Sequence, residues 1–268
     1  MAADYDGLVC DVWGVLHNGR EAQPGAAQAL ARFRKERGPV VLLSNAPRPR
    51  RDLEEQFRHY GVPTDCYDAI VTSGIATRLD LVRRSKARRL SMFHLGPARD
   101  SGIFEGLDIA LVGIDAAELV LNSGLFDDER ETPEDYIERL ESMKARDLLM
   151  ICANPDWVVQ RGGRLIWCAG ALGARYEKLG GRVIYYGKPM KPIYDLVRAS
   201  APQCARMLAI GDGLHTDVKG ANAAGLDALF IADGVHGEDI DDVTPEGMAD
   251  LLAKAGVKAR AAMKALVW

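Results

Sequence analysis

The 268 residues carry 34 basic and 38 acidic side chains, a net charge of −4 with neutral histidines. That balance gives no electrostatic footprint for nucleic acid, and no apolar run reaches the length that spans a bilayer. With 48% hydrophobic residues the chain can bury a sizeable core, either as one large domain or as a core with a second unit inserted. Asp4 and Asp6 stand where a secretory leader would be basic, so the expected location is the cytoplasm. Cys10, Cys66, Cys152, Cys168 and Cys204 are odd in number and lack CxxC spacing, which favours reduced, buried thiols over a disulfide framework or a zinc knuckle. The expected partner is a small molecule, with no nucleic acid and no membrane, and a homo-oligomer stays open.

Short apolar runs alternate with longer helical patterns, the signature of an α/β chain with a doubly wound, Rossmann-like parallel sheet. In chain order "GLVCDV", "PVVLLS", "AIVTS", "RVIYY", "MLAIGD" and "ALFIA" read as buried strands, apolar on both faces. "PGAAQALARFRKERG", "RRDLEEQFRHYG" and "KPIYDLVRAS" have helical spacing and read as crossovers. The middle of the chain adds "RLSMFHLG", "LDIALVG", "AELVLNSG" and "DLLMICA" as strands, and a helix in "TPEDYIERLESMKARD" with Thr132 as N-cap and Pro133 at its first position. The expected organisation is a core in two segments, 1–74 and 183–268, around an inserted α/β cap, 75–182.

Polar residues close three of the outer strands: Asp11 after "LVC", Ser44 and Asn45 after "VVLL", Asp212 after "MLAIG". Ligands of an open parallel sheet bind at the carboxyl ends of its strands, so one site could collect all four. Each residue alone could be no more than a helix cap. "GDGLHTD", however, supplies two carboxylates, Asp212 and Asp217, and two carboxylates directed at a third suggest a hard cation such as magnesium. "YYGKPMKP" holds Lys188 in a short loop that is no Walker loop, since Arg182 replaces its first glycine and Pro189 its hydroxyl residue. A lysine, a hydroxyl, a cation and backbone N–H groups together make a phosphate site.

In that order these residues resemble the haloacid dehalogenase superfamily of aspartyl-nucleophile hydrolases. "DVWGVLHNG", "LLSNAPR", "CANPDWVVQRGG", "GKP" and "GDGLHTDVKGANAAG" are similar to its branch of sugar-phosphate and nitrophenyl-phosphate phosphatases with a large α/β cap. The resemblance implies Asp11 as nucleophile, Ser44 and Asn45 as holders of the phosphoryl oxygens, and Lys188 as the neutralising cation. It implies Mg2+ held by Asp11, Asp212, Asp217 and the backbone carbonyl of Trp13, and a small phosphorylated metabolite as substrate. From the cap, Asn154 and Asp156 are expected to face the core site. Arg48 stands where relatives place a substrate-facing residue; a turn and an exposed arginine are the plain alternatives.

Position 13 departs from that pattern. Phosphatases of the superfamily carry a second aspartate there, which protonates the leaving oxygen and then activates water. Indole is a donor only, so Trp13 can hold a substrate oxygen but exchange no proton with it. Four consequences stay open: a substrate with a good leaving group, a substitute acid with His17 and His215 nearest in sequence, a dehalogenase-type hydrolase, or a phosphate- and magnesium-binding protein without turnover. Trp13 could equally be an apolar plug between core and cap.

Overall fold

A computed structural model describes residues 1–86, 88–161, 164–233 and 244–268. Among them a six-stranded sheet forms the core, in the order β13 (Ala261–Met263), β12 (Asp227–Ile231), β11 (Met207–Gly211), β1 (Gly7–Asp11), β2 (Val40–Ser44), β3 (Ala69–Thr72). Every pairing in it is parallel. From β1 the chain builds outward through β2 to β3, and from β11 it builds the other way through β12 to β13. The strand order therefore reverses between β1 and β11, and the crevice of a doubly wound sheet opens there.

Alternation along the strands feeds two apolar layers. Leu8, Cys10 and Leu42 pack with Leu30 and Phe33 of α1 (Pro24–Glu36) and with Leu53 and Phe57 of α2 (Arg50–Tyr60). Val9, Val41 and Leu43 pack with Ile193 and Val197 of α6 (Lys191–Ser200) and with Met248 of α8 (Pro245–Lys254). Strands buried on both faces read as the unbroken apolar runs found in the sequence. α2 closes on Gly61 in the left-handed region, φ 75°.

α3 (Ser73–Ser85), capped by the Thr72 hydroxyl accepting from the Ile75 N–H at 3.0 Å, leads into the second unit. There a five-stranded parallel sheet runs β10 (Arg182–Tyr185), β7 (Leu149–Cys152), β6 (Leu119–Asn122), β4 (Leu90–Leu95), β5 (Ile109–Leu111). Its helices are α4 (Ile137–Ala145) and α5 (Ala169–Lys178), whose Leu140 and Leu172 meet Val120 and Met150 of the sheet. An antiparallel hairpin of β8 (Val158–Arg161) and β9 (Arg164–Trp167) completes the cap.

Three features differ from the sequence reading. "RVIYY", grouped there with the outer strands, is β10 and pairs with β7, so the boundary drawn at 182 falls inside a cap strand. The sixth core strand is β13, whose half-buried Ala261, Ala262 and Met263 lie between Arg260 and Lys264 and make too short an apolar stretch to betray it. The helix opened by Thr132 begins as a tight 3-10 turn, Pro133–Tyr136, and becomes α-helical at Ile137; the Asp135 carboxylate accepts from the Thr132 N–H at 2.8 Å.

Leu42 is fully buried at the centre of β2. Leu42→Ala is expected to destabilise the core by about 2–5 kcal/mol, read as a lower urea midpoint at unchanged slope.

Candidate active site

At the switch point the carboxyl end of β1 presents Asp11, and the turn after β11 presents Asp212 and Asp217. Asp217 sits in a single wide turn, Leu214–Val218, that leads directly into α7 (Lys219–Ala223). All three carboxylates are buried, and one oxygen from each lies within 4.8 Å of the others. Gly14 makes this approach feasible: at φ 87°, a Cβ there would lie 2.1 Å from Asp212 Oδ2.

Lys188 enters the cluster from the loop after β10. Its Nζ donates to Asp11 Oδ1 at 2.6 Å and to Asp217 Oδ1 at 2.8 Å, and the lysine is only 3% exposed. Burial opposes its charge, but the Asp11, Asp217 and Asp156 carboxylates outweigh burial and hold the ammonium's pKa well above normal. Asp11 is pushed well up by burial and by the Asp217 charge, against the pull of Lys188. One ammonium facing three buried carboxylates leaves an excess of negative charge, and an all-oxygen donor set suits a hard divalent cation. The residues therefore fit a divalent metal held by Asp11, Asp212 and Asp217.

Ser44 and Asn45 close β2 beside Lys188. The Ser44 hydroxyl accepts from the Ala46 N–H at 3.2 Å and borders the cavity. Asn45 joins three segments: its Oδ1 accepts from the Lys188 N–H at 2.7 Å, while its Nδ2 donates to the Lys188 carbonyl at 3.2 Å and to Asp156 Oδ1 at 2.8 Å. Ser73, which the sequence reading missed, donates its hydroxyl to the same Asn45 Oδ1 at 3.2 Å. Gly187 lets the loops meet, because a Cβ at its φ of 134° would fall 2.2 Å from the Ser73 Oγ. The available signal for Ser73 was its place directly after the third strand, as Asn45 stands directly after the second.

A cavity of about 1020 Å³ lies over this cluster, with core residues on one side and cap residues on the other. Asn154 and Asp156 both border it, but Asn154 Oδ1 accepts from the Asp156 N–H at 3.0 Å and so shapes its own turn. Arg48 borders it as well, paired with the buried Asp100 of the cap, Nε to Oδ1 at 3.4 Å.

Trp13 spans the two units. Its Nε1 donates to the Gln160 carbonyl of β8 at 2.7 Å, and its ring lies against Gly19 and edge-on to His17, centroids 5.2 Å apart. The indole N–H is thus engaged by the cap rather than open to a substrate oxygen. Gln160 could not be found from sequence, because a backbone carbonyl leaves no trace in residue type. His17 is fully buried and flanked by Trp13, Phe57 and Tyr60; burial lowers its pKa to about 4. A neutral packed imidazole donates no proton at neutral pH, which removes His17 as the substitute acid. His215 is exposed on the wide turn and borders the cavity.

Residues 8–110 match a family model described as haloacid dehalogenase-like hydrolase, and residues 185–255 match a second, HAD-hydrolase-like model. A crystal structure of a hydrolase of the haloacid dehalogenase-like family from Brucella suis 1330 is 44% identical, covers 100% of this chain and 97% of that chain, and superposes with a TM-score of 0.86. The chain belongs to the haloacid dehalogenase-like hydrolases. Among curated relatives of this family, the ribonucleotide monophosphatase NagD of Escherichia coli K12 is 28% identical over 88% of this chain and 91% of its own. The human glycerol-3-phosphate phosphatase is 25% identical over 95% of this chain and 86% of its own. Both alignments run through core and cap alike.

Two outcomes follow from this geometry. Trp13→Phe keeps the ring and removes the bond to Gln160, so backbone amides of β8 and β9 are expected to exchange faster, by a factor matching about 0.5–1.5 kcal/mol. His17 has its folded pKa depressed below the unfolded value, so its contribution to stability is complete above about pH 6.5 and is lost as pH falls through about 4. NMR should find its ring neutral at pH 5, and urea midpoints should decline across that window.

Proposed function

We propose that this chain is a magnesium-dependent phosphoric monoester hydrolase acting on a small phosphorylated metabolite through an aspartyl-phosphate on Asp11. The observation that carries the reading is the buried Lys188 ammonium held between Asp11 and Asp217, with Asp212 alongside. Relatives named as phosphatases over nearly their whole length support it. Asp11, Asp212, Asp217 and the Trp13 carbonyl would hold the cation, which when bound screens the negative charge of the phosphoryl group.

The chain's own groups divide the remaining work. The free oxygen of the Asp11 carboxylate attacks phosphorus while its Oδ1 is oriented by Lys188 and by the Val12 N–H at 2.7 Å. The Ser44 hydroxyl and the backbone beside Asn45 take the equatorial phosphoryl oxygens, and Lys188 offsets charge shared between carboxylate and phosphate. The cap, seated on Asn45 and Trp13, excludes bulk water. A dehalogenase-type reaction needs no metal, so the carboxylate set of Asp11, Asp212 and Asp217, suited to a hard cation, counts against it. The free, buried thiols of Cys10 and Cys152 suit a reducing compartment, which supports the cytoplasm as the place of the reaction.

Turnover of nitrophenyl phosphate is expected with magnesium and lost with chelator. Asp11→Asn should lower it by at least about 10³-fold, the scale on which removing a covalent nucleophile acts. Stabilisation by magnesium and vanadate together, with no phosphate released, would instead assign the site to binding without turnover.

A further inference from the structure

With Trp13 in place of the expected acid, hydrolysis of an ordinary phosphate ester requires a proton donor from elsewhere. Four carboxyls outside the Asp11 cluster border the cavity among the described residues: Asp100, Asp128, Asp156 and Glu177. Asp100 is paired with Arg48, and Asp128 accepts from Arg99 at 2.6 Å and from Arg161 at 3.1 Å. Glu177 accepts from the Tyr185 hydroxyl at 2.8 Å. Burial raises the Asp100 pKa against the opposing charges of Arg48 and Arg99; what separates Asp100, Asp128 and Glu177 from Asp156 is position, since none of the three has a described hydrogen bond to Asn45 or Lys188. Asp156 has no arginine partner among the described ion pairs; its Oδ1 accepts from the neutral Asn45 amide.

Its position is also right. Asp156 borders the same cavity as Asp11 and Ser44, and its Oδ1 is bonded to the amide that also brackets the Lys188 peptide groups. In-line displacement by Asp11 expels the leaving group on the side opposite the nucleophile, into the cavity that the cap residues line. The backbone is fixed independently of the side chain: the Asp156 carbonyl accepts from the Gly170 N–H at 3.0 Å, at the start of α5. Burial raises the Asp156 pKa, as does the Asp217 charge, while Lys188 and the Asn45 bond oppose the rise.

We infer that Asp156 is the general acid and base of this enzyme, supplied by the cap in place of the side chain absent at position 13. The inference rests on the phosphatase reading above. In the first step the Asp11 carboxylate forms a bond to phosphorus, the ester P–O bond breaks, and its electron pair stays on the leaving oxygen, which takes the Asp156 proton. In the second, the Asp156 carboxylate removes a proton from water as that water's oxygen bonds to phosphorus. The bond to Asp11 breaks, phosphate leaves, and both aspartates return to their starting states.

The test is leaving-group dependence in the magnesium-loaded protein, with nitrophenyl phosphate against glycerol phosphate. Asp156→Asn keeps a partner for Asn45 and removes the proton. It is expected to lower kcat/KM for glycerol phosphate by about 10²–10⁴-fold and kcat/KM for nitrophenyl phosphate by less than about 10-fold, since kcat/KM reports only the step that expels the leaving group and nitrophenolate leaves unprotonated. Asp156→Glu keeps a carboxyl, so both substrates should lose the same factor; this variant also covers the case in which the asparagine form fails to fold. Equal losses in kcat/KM on both substrates with Asp156→Asn, no loss on either, or the substrate-dependent loss appearing with His215→Asn instead, would overturn the inference alone. Wild-type turnover of nitrophenyl phosphate but not glycerol phosphate would overturn it too. Turnover of neither substrate would remove the phosphatase reading and the inference with it.

Discussion

The buried ammonium of Lys188 is the interaction on which the rest of the site depends. Removing a charge from water costs several kcal/mol, and only well-placed partners offset that cost. Here the partners come from opposite halves of the core, Asp11 from β1 and Asp217 from the turn after β11, and Lys188 arrives from beyond the cap. The three segments meet where the strand order of the sheet reverses, so the topology that makes a crevice also brings together charges remote in sequence. Without the ammonium, Asp11 and Asp217 would face each other as like charges in a buried site. The same cluster that would bind a cation and a phosphate is thus held in register by one lysine before either arrives.

Asn45 carries that order to the cap. A primary amide can donate and accept at once, and Asn45 uses both ends: it brackets the Lys188 backbone with N–H and C=O partners and extends a bond to Asp156. An aspartate at position 45 would repel Asp156, and a leucine would leave the Lys188 peptide groups unpaired. Cap position and lysine position are therefore set by one side chain. The bareness of Gly187 serves the same end, since any side chain there would push the lysine loop off Asn45 and Ser73.

Much of this was legible in the sequence, for a physical reason. Strands buried on both faces must be continuously apolar, so β1, β2, β3, β11 and β12 announce themselves, and the polar residues that end three of them mark the crevice. Asp11, Ser44, Asn45, Lys188, Asp212 and Asp217 were placed by that logic together with the family resemblance. What was not legible depends on partners rather than residue types. β10 has the same apolar run as a core strand, and only its pairing with β7 shows which sheet it joins. β13 is only three residues, Ala261 to Met263, that become a strand because β12 offers an edge. Gln160 contributes a carbonyl, which every residue has. His17 looked titratable, but whether an imidazole is solvated or packed among rings cannot be read from a single letter.

Trp13 shows how one substitution can redistribute roles without disturbing a site. An aspartate at that position would add a fourth carboxylate to a cluster already rich in negative charge; an indole adds none. Its ring fills the space over Gly19 and beside His17, and its N–H reaches a backbone carbonyl of the cap hairpin. Because the acceptor belongs to the backbone, the tether depends on the shape of β8 and not on the identity of residue 160. Side-chain variation within the hairpin can then alter what the cavity accepts while the hairpin stays seated over Asp11. In the reading proposed above, the proton function passes from position 13 to the cap loop held by Asn45 on one side and α5 on the other.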